Sequence, residues 1–303
     1  MRFGLLFILM SFAILSFSSC SSCTDDEDGN IANGTSTSVD KQEEQTIPHI
    51  SEEERIDSLL KIKISHDTTT MYELPRMNKS CPEEIFYRIA YTVSFNSNTK
   101  NANWVAWSLM RNHTEGPFTR RKVNAPYYED IDSIQNPQRN GDWINASPPY
   151  DHGHMCPAGD IKWDEAANRQ SFFLSNICPQ HEVLNQGDWE NLEERCRGWA
   201  NNFGEIFIVA GPIFEGTIKY LPESNIAIPN KFYKVIMCLN PKPMAIGFVY
   251  DNDDTKHRLF EVAKSVDEIE KITGIDFFYL LEDETENQIE ASYDLKFWNI
   301  REK

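Results

Sequence analysis

The chain has 303 residues, 40% of them hydrophobic and 25% charged, which is too apolar for a largely disordered protein and long enough for one large core or two ordinary ones. Taken whole, its formal charge of −18 weighs against a nucleic-acid partner, because phosphate backbones are met by lysine and arginine. The acidity is concentrated, however: residues 24–57 hold 11 acids and 2 bases, residues 251–290 hold 13 acids and 4 bases, and residues 58–250, with 21 acids and 19 bases, are close to neutral.

In chain order, residues 1–19 predict an export signal, with Arg2, an apolar run over 3–17 and the ending Ser18-Ser19-Cys20. No other stretch is long and apolar enough to span a membrane. The ending resembles a lipoprotein lipobox, which implies acylation of Cys20 and a lipid anchor at the outer membrane or cell surface. Phe17 stands where leucine is usual, so periplasmic or secreted release stays open. Asp25, Asp26, Glu27 and Asp28 read either as an export tag of surface lipoproteins or as a solvated linker. Residues 20–55 carry too few apolar side chains to offset the entropy of ordering and predict a disordered acidic tether, leaving 56–303 as the folded domain.

Within that domain, residues 85–95 are rich in aromatic and β-branched residues and predict a strand, paired across an Asn-rich turn with 104–110. Further strands are expected over 206–210, 232–239 and 245–250. Helices are expected over 265–272, opened by a Ser265-x-x-Glu268 capping box, and over 189–200, where Trp189, Leu192, Cys196, Trp199 and Ala200 recur at helical spacing. Strands in runs, with helices between them and no βαβ alternation, point to an α+β fold. Cys81, Cys156, Cys178, Cys196 and Cys238 allow up to two disulfides in an oxidising compartment, with the pairing open.

The chemistry concentrates between residues 150 and 197. The run Tyr150-Asp151-His152-Gly153-His154-Met155-Cys156-Pro157-Ala158-Gly159-Asp160 places two imidazoles beside carboxylates and turn glycines. A neutral histidine held by a neighbouring acceptor can take a proton from water near neutral pH; the plainer reading is a surface turn. A second cluster holds Ser175-Asn176-Ile177-Cys178-Pro179-Gln180, then Leu184-Asn185-Gln186-Gly187-Asp188-Trp189, then Glu193 and Arg197. If the helix reaches back to Asn185, roughly 100° per residue sets Asn185 and Glu193 about 80° apart, with Arg197 one turn beyond. One amide oxygen and a carboxylate suit a hard divalent cation; an ordinary amphipathic helix is the alternative. His152, His154, Cys156, Cys178 and His181 also carry zinc-like spacings.

The order Asp-x-Gly-His, Ser-Asn-Ile-x-Pro-Gln and Leu-Asn-Gln-Gly-x-Trp-x-x-Leu-Glu-x-x-x-Arg resembles the DNA/RNA non-specific endonuclease family, the sugar-non-specific ββα-metal nucleases. The match is dense over 150–197 and looser over 81–250. The resemblance implies a central antiparallel sheet with flanking helices and a ββα-metal (His-Me finger) motif. It further implies that His154 is the general base, that Asn185 is the direct protein ligand of Mg²⁺, Mn²⁺ or another divalent ion, and that Glu193 orients the waters around that ion. Asn176 matches a supporting polar residue, Arg197 a basic residue near substrate, and Arg121, with Arg120 close behind, the upstream arginine on the scissile phosphate. The substrates implied are DNA and RNA, cut to 5′-phosphate ends. Where the family has arginine before Gly-His, this chain has His152, which would replace that charge only when protonated and so shift activity to lower pH. Two other readings follow from the same residues: a nuclease-fold surface protein that binds nucleic acid and cuts poorly, and a His/Cys zinc protein.

Overall fold

The computed structural model describes residues 50–302, apart from 79, 131 and 133–147. The expected export signal, Cys20 and the tether up to residue 49 lie outside the described residues. In chain order the elements are α1 (Glu52–Leu60), β1 (Arg76–Met77), β2 (Glu84–Tyr87), β3 (Thr92–Asn96), β4 (Asn101–Met110), α2 (Arg120–Val123), β5 (Tyr150–His154), α3 (Glu165–Gln170) and β6 (Ile177–His181). A π-helical turn (Leu184–Trp189) runs directly into α4 (Glu190–Phe203). There follow β7 (Glu205–Ile213), β8 (Lys219–Tyr220), β9 (Ala227–Ile228), β10 (Lys231–Cys238), β11 (Met244–Asp251), β12 (Ala263–Lys264), α5 (Val266–Thr273), β13 (Ile275–Asp276) and α6 (Asp283–Glu290). No helix among the described residues is long and apolar enough to cross a membrane.

Seven strands pair in the order β12-β11-β10-β7-β4-β3-β2, every pair antiparallel. The fold is thus α+β with a central antiparallel sheet. Its middle strands are buried on both faces, so they read as continuous apolar runs instead of alternating ones. Alternation survives in what each face touches. Phe232, Ile236 and Cys238 of β10 join Trp189, Leu192, Cys196 and Trp199 on the α4 side. Tyr233, Val235 and Met237 join Val266, Ile269, Phe277 and Ile289 under α5 and α6.

Helix α4 ends at Gly204, with φ of 91°. Its buried Leu192, Cys196, Trp199 and Ala200 form the expected apolar stripe, and removing a buried tryptophan such as Trp199 costs about 3–5 kcal/mol. Helix α5 has the expected Ser265/Glu268 capping box and closes on Gly274 in the left-handed region, an N-cap worth roughly 0.5–2 kcal/mol.

Three sequence expectations change. Residues 85–95 form two strands, because Arg88 N–H bonds to Tyr91 O at 2.8 Å and turns the chain between β2 and β3; Arg88 itself is buried against Asp130 and Asp132. Residues 51–55, expected in the tether, begin α1 instead. Ser51 and Glu54 close a capping box, and Arg55 reaches Glu165 of α3 at 2.9 Å. The five cysteines are free thiols. Four of them, Cys156, Cys178, Cys196 and Cys238, act as small apolar groups of one core cluster, and burial pushes Cys178, Cys196 and Cys238 up to about 12.

Candidate active site

The strands β5 and β6 pair antiparallel in a small sheet of their own, and the π-helical turn and α4 follow directly. This is a ββα unit. Gly153 of β5 is required by packing: a Cβ there would lie 2.4–2.5 Å from the side chain of Gln180 on β6. The next residue, His154, ends the strand with its carbonyl accepting a bond from Trp189 Nε1 at 3.2 Å.

His154 is 8% exposed, edge-on to Phe172 at 5.1 Å between ring centroids. Burial, helped by Arg120 and His152, lowers its imidazole to about 3, so it is neutral at any ordinary pH. The backbone of His152 lies in bonding range of the ring, while Nε2 is buried without a partner. That arrangement favours the tautomer protonated on Nδ1, with the Nε2 lone pair free to take a proton.

Asn185 sits in the π-helical turn, where a plain α-helix was expected. Gly187 lies within this wider turn, and π-bulges recur at functional sites. Its tie to β5 is Asp151, whose Oδ2 accepts from Asn185 Nδ2 and from Gln186 Nε2, both at 2.8 Å. Holding the amide by its nitrogen leaves Oδ1 as the outward acceptor. About two turns further on, in α4, Glu193 is half-buried, and desolvation raises it to about 7 against the pull of Lys234, with Asp160 adding to the rise and Arg197 opposing it. Arg197 pairs with Asp160 at 2.9 Å and not with Glu193. Asp160 is itself buried and accepts from Trp107 Nε1 at 3.1 Å. Gly159 admits the guanidinium: a Cβ there would stand 3.0 Å from Arg197 Nη1.

One cavity of about 290 Å³ gathers Arg120, His152, His154, Asn185, Glu193 and Arg197. A larger cavity of about 580 Å³ lies behind α4, lined by Tyr250, His257 and Trp199 among others, and contains none of these six.

Three of the sequence-marked residues are placed differently from expectation. Arg120, not Arg121, lines the cavity; its guanidinium bonds Tyr127 Oη at 3.1 Å and lies over Phe172 at 5.7 Å. Arg121, its equally exposed neighbour on the one-turn helix α2, is not on that lining, so one residue of register decides between them. Asn176 is fully buried and points into backbone, accepting from Cys156 N–H at 2.9 Å and donating to Cys156 O and Ser171 O at 2.8 Å. It pins the loop after β5 and does not face the cavity. His152 stacks on Tyr127 at 4.3 Å. Burial holds it down at about 4, Asp151 pulling the other way, so it is no cation near neutral pH and would carry charge only in acid solution. The zinc reading also fails on geometry: among the described residues, no three of the His and Cys side chains converge as a ligand set.

Sequence reading passed over Asp151 and Asp160 as roles although both stood in the quoted cluster. It also missed Lys234, whose signal was a lone lysine inside an apolar strand. Lys234 is fully buried on β10, with Nζ 4.2 Å from the Trp189 ring and 5.7 Å from the Trp107 ring and no hydrogen-bond partner. With Arg197 it is one of two positive neighbours that act on both Glu193 and Asp160.

A family model described as DNA/RNA non-specific endonuclease matches residues 74–284. The chain is 33% identical over 216 residues to a nuclease of Serratia marcescens, covering 67% of this chain and 78% of that protein. It is 28% identical over 228 residues to the mitochondrial nuclease EXOG of Xenopus laevis, covering 70% of this chain and 62% of the other, so it spans less than two-thirds of that relative's length. A chain of the solved EndoG/EndoGI complex matches with a TM-score of 0.64 at 18% identity, over 74% of this chain and 96% of the other, and shares its fold.

Proposed function

Because this chain belongs to the DNA/RNA non-specific endonuclease family, we propose that it is a metal-dependent endonuclease that hydrolyses DNA and RNA with little sequence preference. The observation that carries this reading is the single cavity holding a neutral His154, with Nε2 unpartnered, opposite Asn185, Glu193 and two arginines.

The cavity fits a divalent cation. Asn185 offers its amide oxygen because Asp151 holds its nitrogen, and Glu193 supplies a partly buried carboxylate on the lining of the same cavity. These are hard oxygen donors, few in number, the set that suits Mg²⁺ with waters retained; Mn²⁺ has the same preference for oxygen. When bound, the ion would stabilise the charge that develops on the phosphate and the leaving oxygen.

The protein's own residues do the rest. His154 takes a proton from the attacking water, and its fixed tautomer keeps Nε2 ready. Arg120 and Arg197 meet phosphate oxygens, Arg197 being held in place by Asp160. Arg120 supplies the permanent positive charge on this side of the cavity, where the family arginine is replaced by His152. All these groups address phosphate and none addresses a base edge, which supports acceptance of both DNA and RNA. Cleavage on the 3′-oxygen side leaves 5′-phosphate ends. Export through residues 1–19 and acylation of Cys20 complete the proposal, and fatty-acid labelling that disappears in Cys20→Ala tests that part.

The nuclease reading is tested by incubating the purified protein with supercoiled plasmid and with structured RNA, in Mg²⁺ and in chelator. Cleavage of both, only with the metal, and DNA fragments that ligate without added kinase are expected. Intact substrates in Mg²⁺ and Mn²⁺ would overturn it.

A further inference from the structure

On the opposite face of the sheet, α5 and α6 bring Asp267, Glu270 and Glu290 together so that one carboxylate oxygen from each lies within 4.8 Å of the others. Asp267 and Glu270 are one turn apart on α5, and Glu290 is the last residue of α6. Glu290 is only 5% exposed, and its Oε1 is buried without a hydrogen-bond partner. An acid at the C-terminal end of a helix also faces the negative end of the helix dipole, and α6 has no basic residue in its last turn.

The surroundings add negative charge. Glu270, Glu286, Asp267 and Asp276 all act on Glu290 in one direction, and together with burial they lift it to about 9. Glu270 rises to about 7, mainly by burial, although Phe277 N–H donates to its Oε1 at 2.8 Å. The nearby bases are engaged elsewhere or at the rim: Arg76 bonds Asp276 through Nε at 3.0 Å, and the exposed Lys271 is 4.0 Å from Asp267. Burying an acid among acids is costly unless it is neutralised or paired with a cation.

We propose that Asp267, Glu270 and Glu290 form a structural site for a hard divalent cation of the size of Ca²⁺, separate from the catalytic cavity and joining α5 to α6. Ca²⁺ takes carboxylate oxygens at 2.3–2.6 Å in flexible geometry and completes its shell with water, so about 4.8 Å is the span across its coordination sphere. The site would tie the last two helices to the sheet and leave the reaction chemistry alone.

The test uses the full chain and Ca²⁺ as probe, with melting temperature and calorimetric titration as readouts. Asn185→Ala removes the proposed catalytic ligand; Glu290→Gln is a neutral isostere. In Asn185→Ala, one Ca²⁺ is expected to bind, and millimolar Ca²⁺ should raise Tm by about 5 °C for a chain of this size and a dissociation constant near 10⁻⁴ M. In Glu290→Gln the remote site should lose at least about tenfold in Ca²⁺ affinity and most of the Tm shift, with Mg²⁺-dependent nuclease activity unchanged. Should Glu290→Gln fail to fold, Asp267→Asn on the partly exposed side gives the same readout. The proposal is overturned if Asn185→Ala binds no Ca²⁺, which would leave Glu290 simply held protonated, or if the Tm shift is the same with and without the Glu290 carboxylate, which would place the bound Ca²⁺ elsewhere.

Discussion

On the α4 face of the sheet, buried Asp160 is bonded by both Trp107 and Arg197, and Lys234 stands behind it between two tryptophans. On the α5/α6 face, buried Glu290 has only carboxylates acting on it. The first face holds its charges in balance and leaves a few atoms unpaired where substrate would enter: His154 Nε2, the Asn185 amide oxygen and the Glu193 carboxylate. The second gathers carboxylates around a buried, unpartnered oxygen of Glu290. Unpaired polar atoms on one sheet therefore carry different meanings, and the partner charges around them decide which.

The largest effect should separate the faces outright. His154→Ala is expected to lower the cleavage rate by about 10³-fold, within the range for loss of a general base and well beyond what the Tm drop from lost ring packing against Phe172 and Tyr127 accounts for. Equal loss of stability and activity, followed by thermal melts and plasmid nicking together, would assign His154 to the core instead. Next comes Asp151→Asn, which keeps the shape but weakens the hold on Asn185 and Gln186. Roughly 10–100-fold more Mg²⁺ should then be needed for half-maximal cleavage, as for other outer groups that orient a ligand.

Lys234→Met should cost less, about tenfold in kcat with KM nearly constant, since Lys234 touches no substrate. Its informative readout is the pH profile. Lys234 pulls the Glu193 carboxyl down, so its removal lets Glu193 stay protonated to higher pH, and the acid limb of the rate profile should move upward. A drop in rate with an unmoved acid limb would make Lys234 a packing residue only.

The smallest effect concerns stability against pH, where the two faces differ in sign. His154 and His152 are lowered to about 3 and 4 from an ordinary 6.5, so the unfolded chain takes up protons first. Their contribution is complete above pH 6.5 and is lost as pH falls toward 4. Glu290 and Glu270 are raised to about 9 and 7 from 4.5. Their contribution is complete below 4.5 and is lost as pH rises through 7 to 9. Melting temperatures from pH 4 to 9 should therefore fall at both ends in chelator. Glu290→Gln should flatten the alkaline side, and His154→Ala the acid side.

Much of the catalytic face was legible because its residues are close in sequence: Asp151 to Arg197 supply the strand, the helix start and the cavity, and the spacing between Asn185, Glu193 and Arg197 survives folding. The π-helical turn was not legible, since a widened turn and an α-turn share the same apolar spacing over so few residues. Arg120 and Arg121 could not be separated because the orientation of a one-turn helix is set by Tyr127 and Phe172, which pack against it from elsewhere. Asn176 was seen as part of the motif, but its task, holding the backbone at Cys156, depends on a loop that returns after twenty residues. The strands of the sheet were found by their apolar runs, whereas the turn at Arg88 was hidden by aromatic and β-branched neighbours on both sides. Residues 251–290 show in the sequence only as an acid-rich stretch, and only their packing shows that Glu290 is buried.

The most direct test of the central claim is nicking of supercoiled plasmid in Mg²⁺ by the wild type and by His154→Ala, with both proteins shown to bind DNA equally. Metal-dependent nicking by the wild type that falls about 10³-fold in the variant is the result this site predicts. Nicking by the variant at the wild-type rate, or DNA binding without cleavage by either protein, would contradict it.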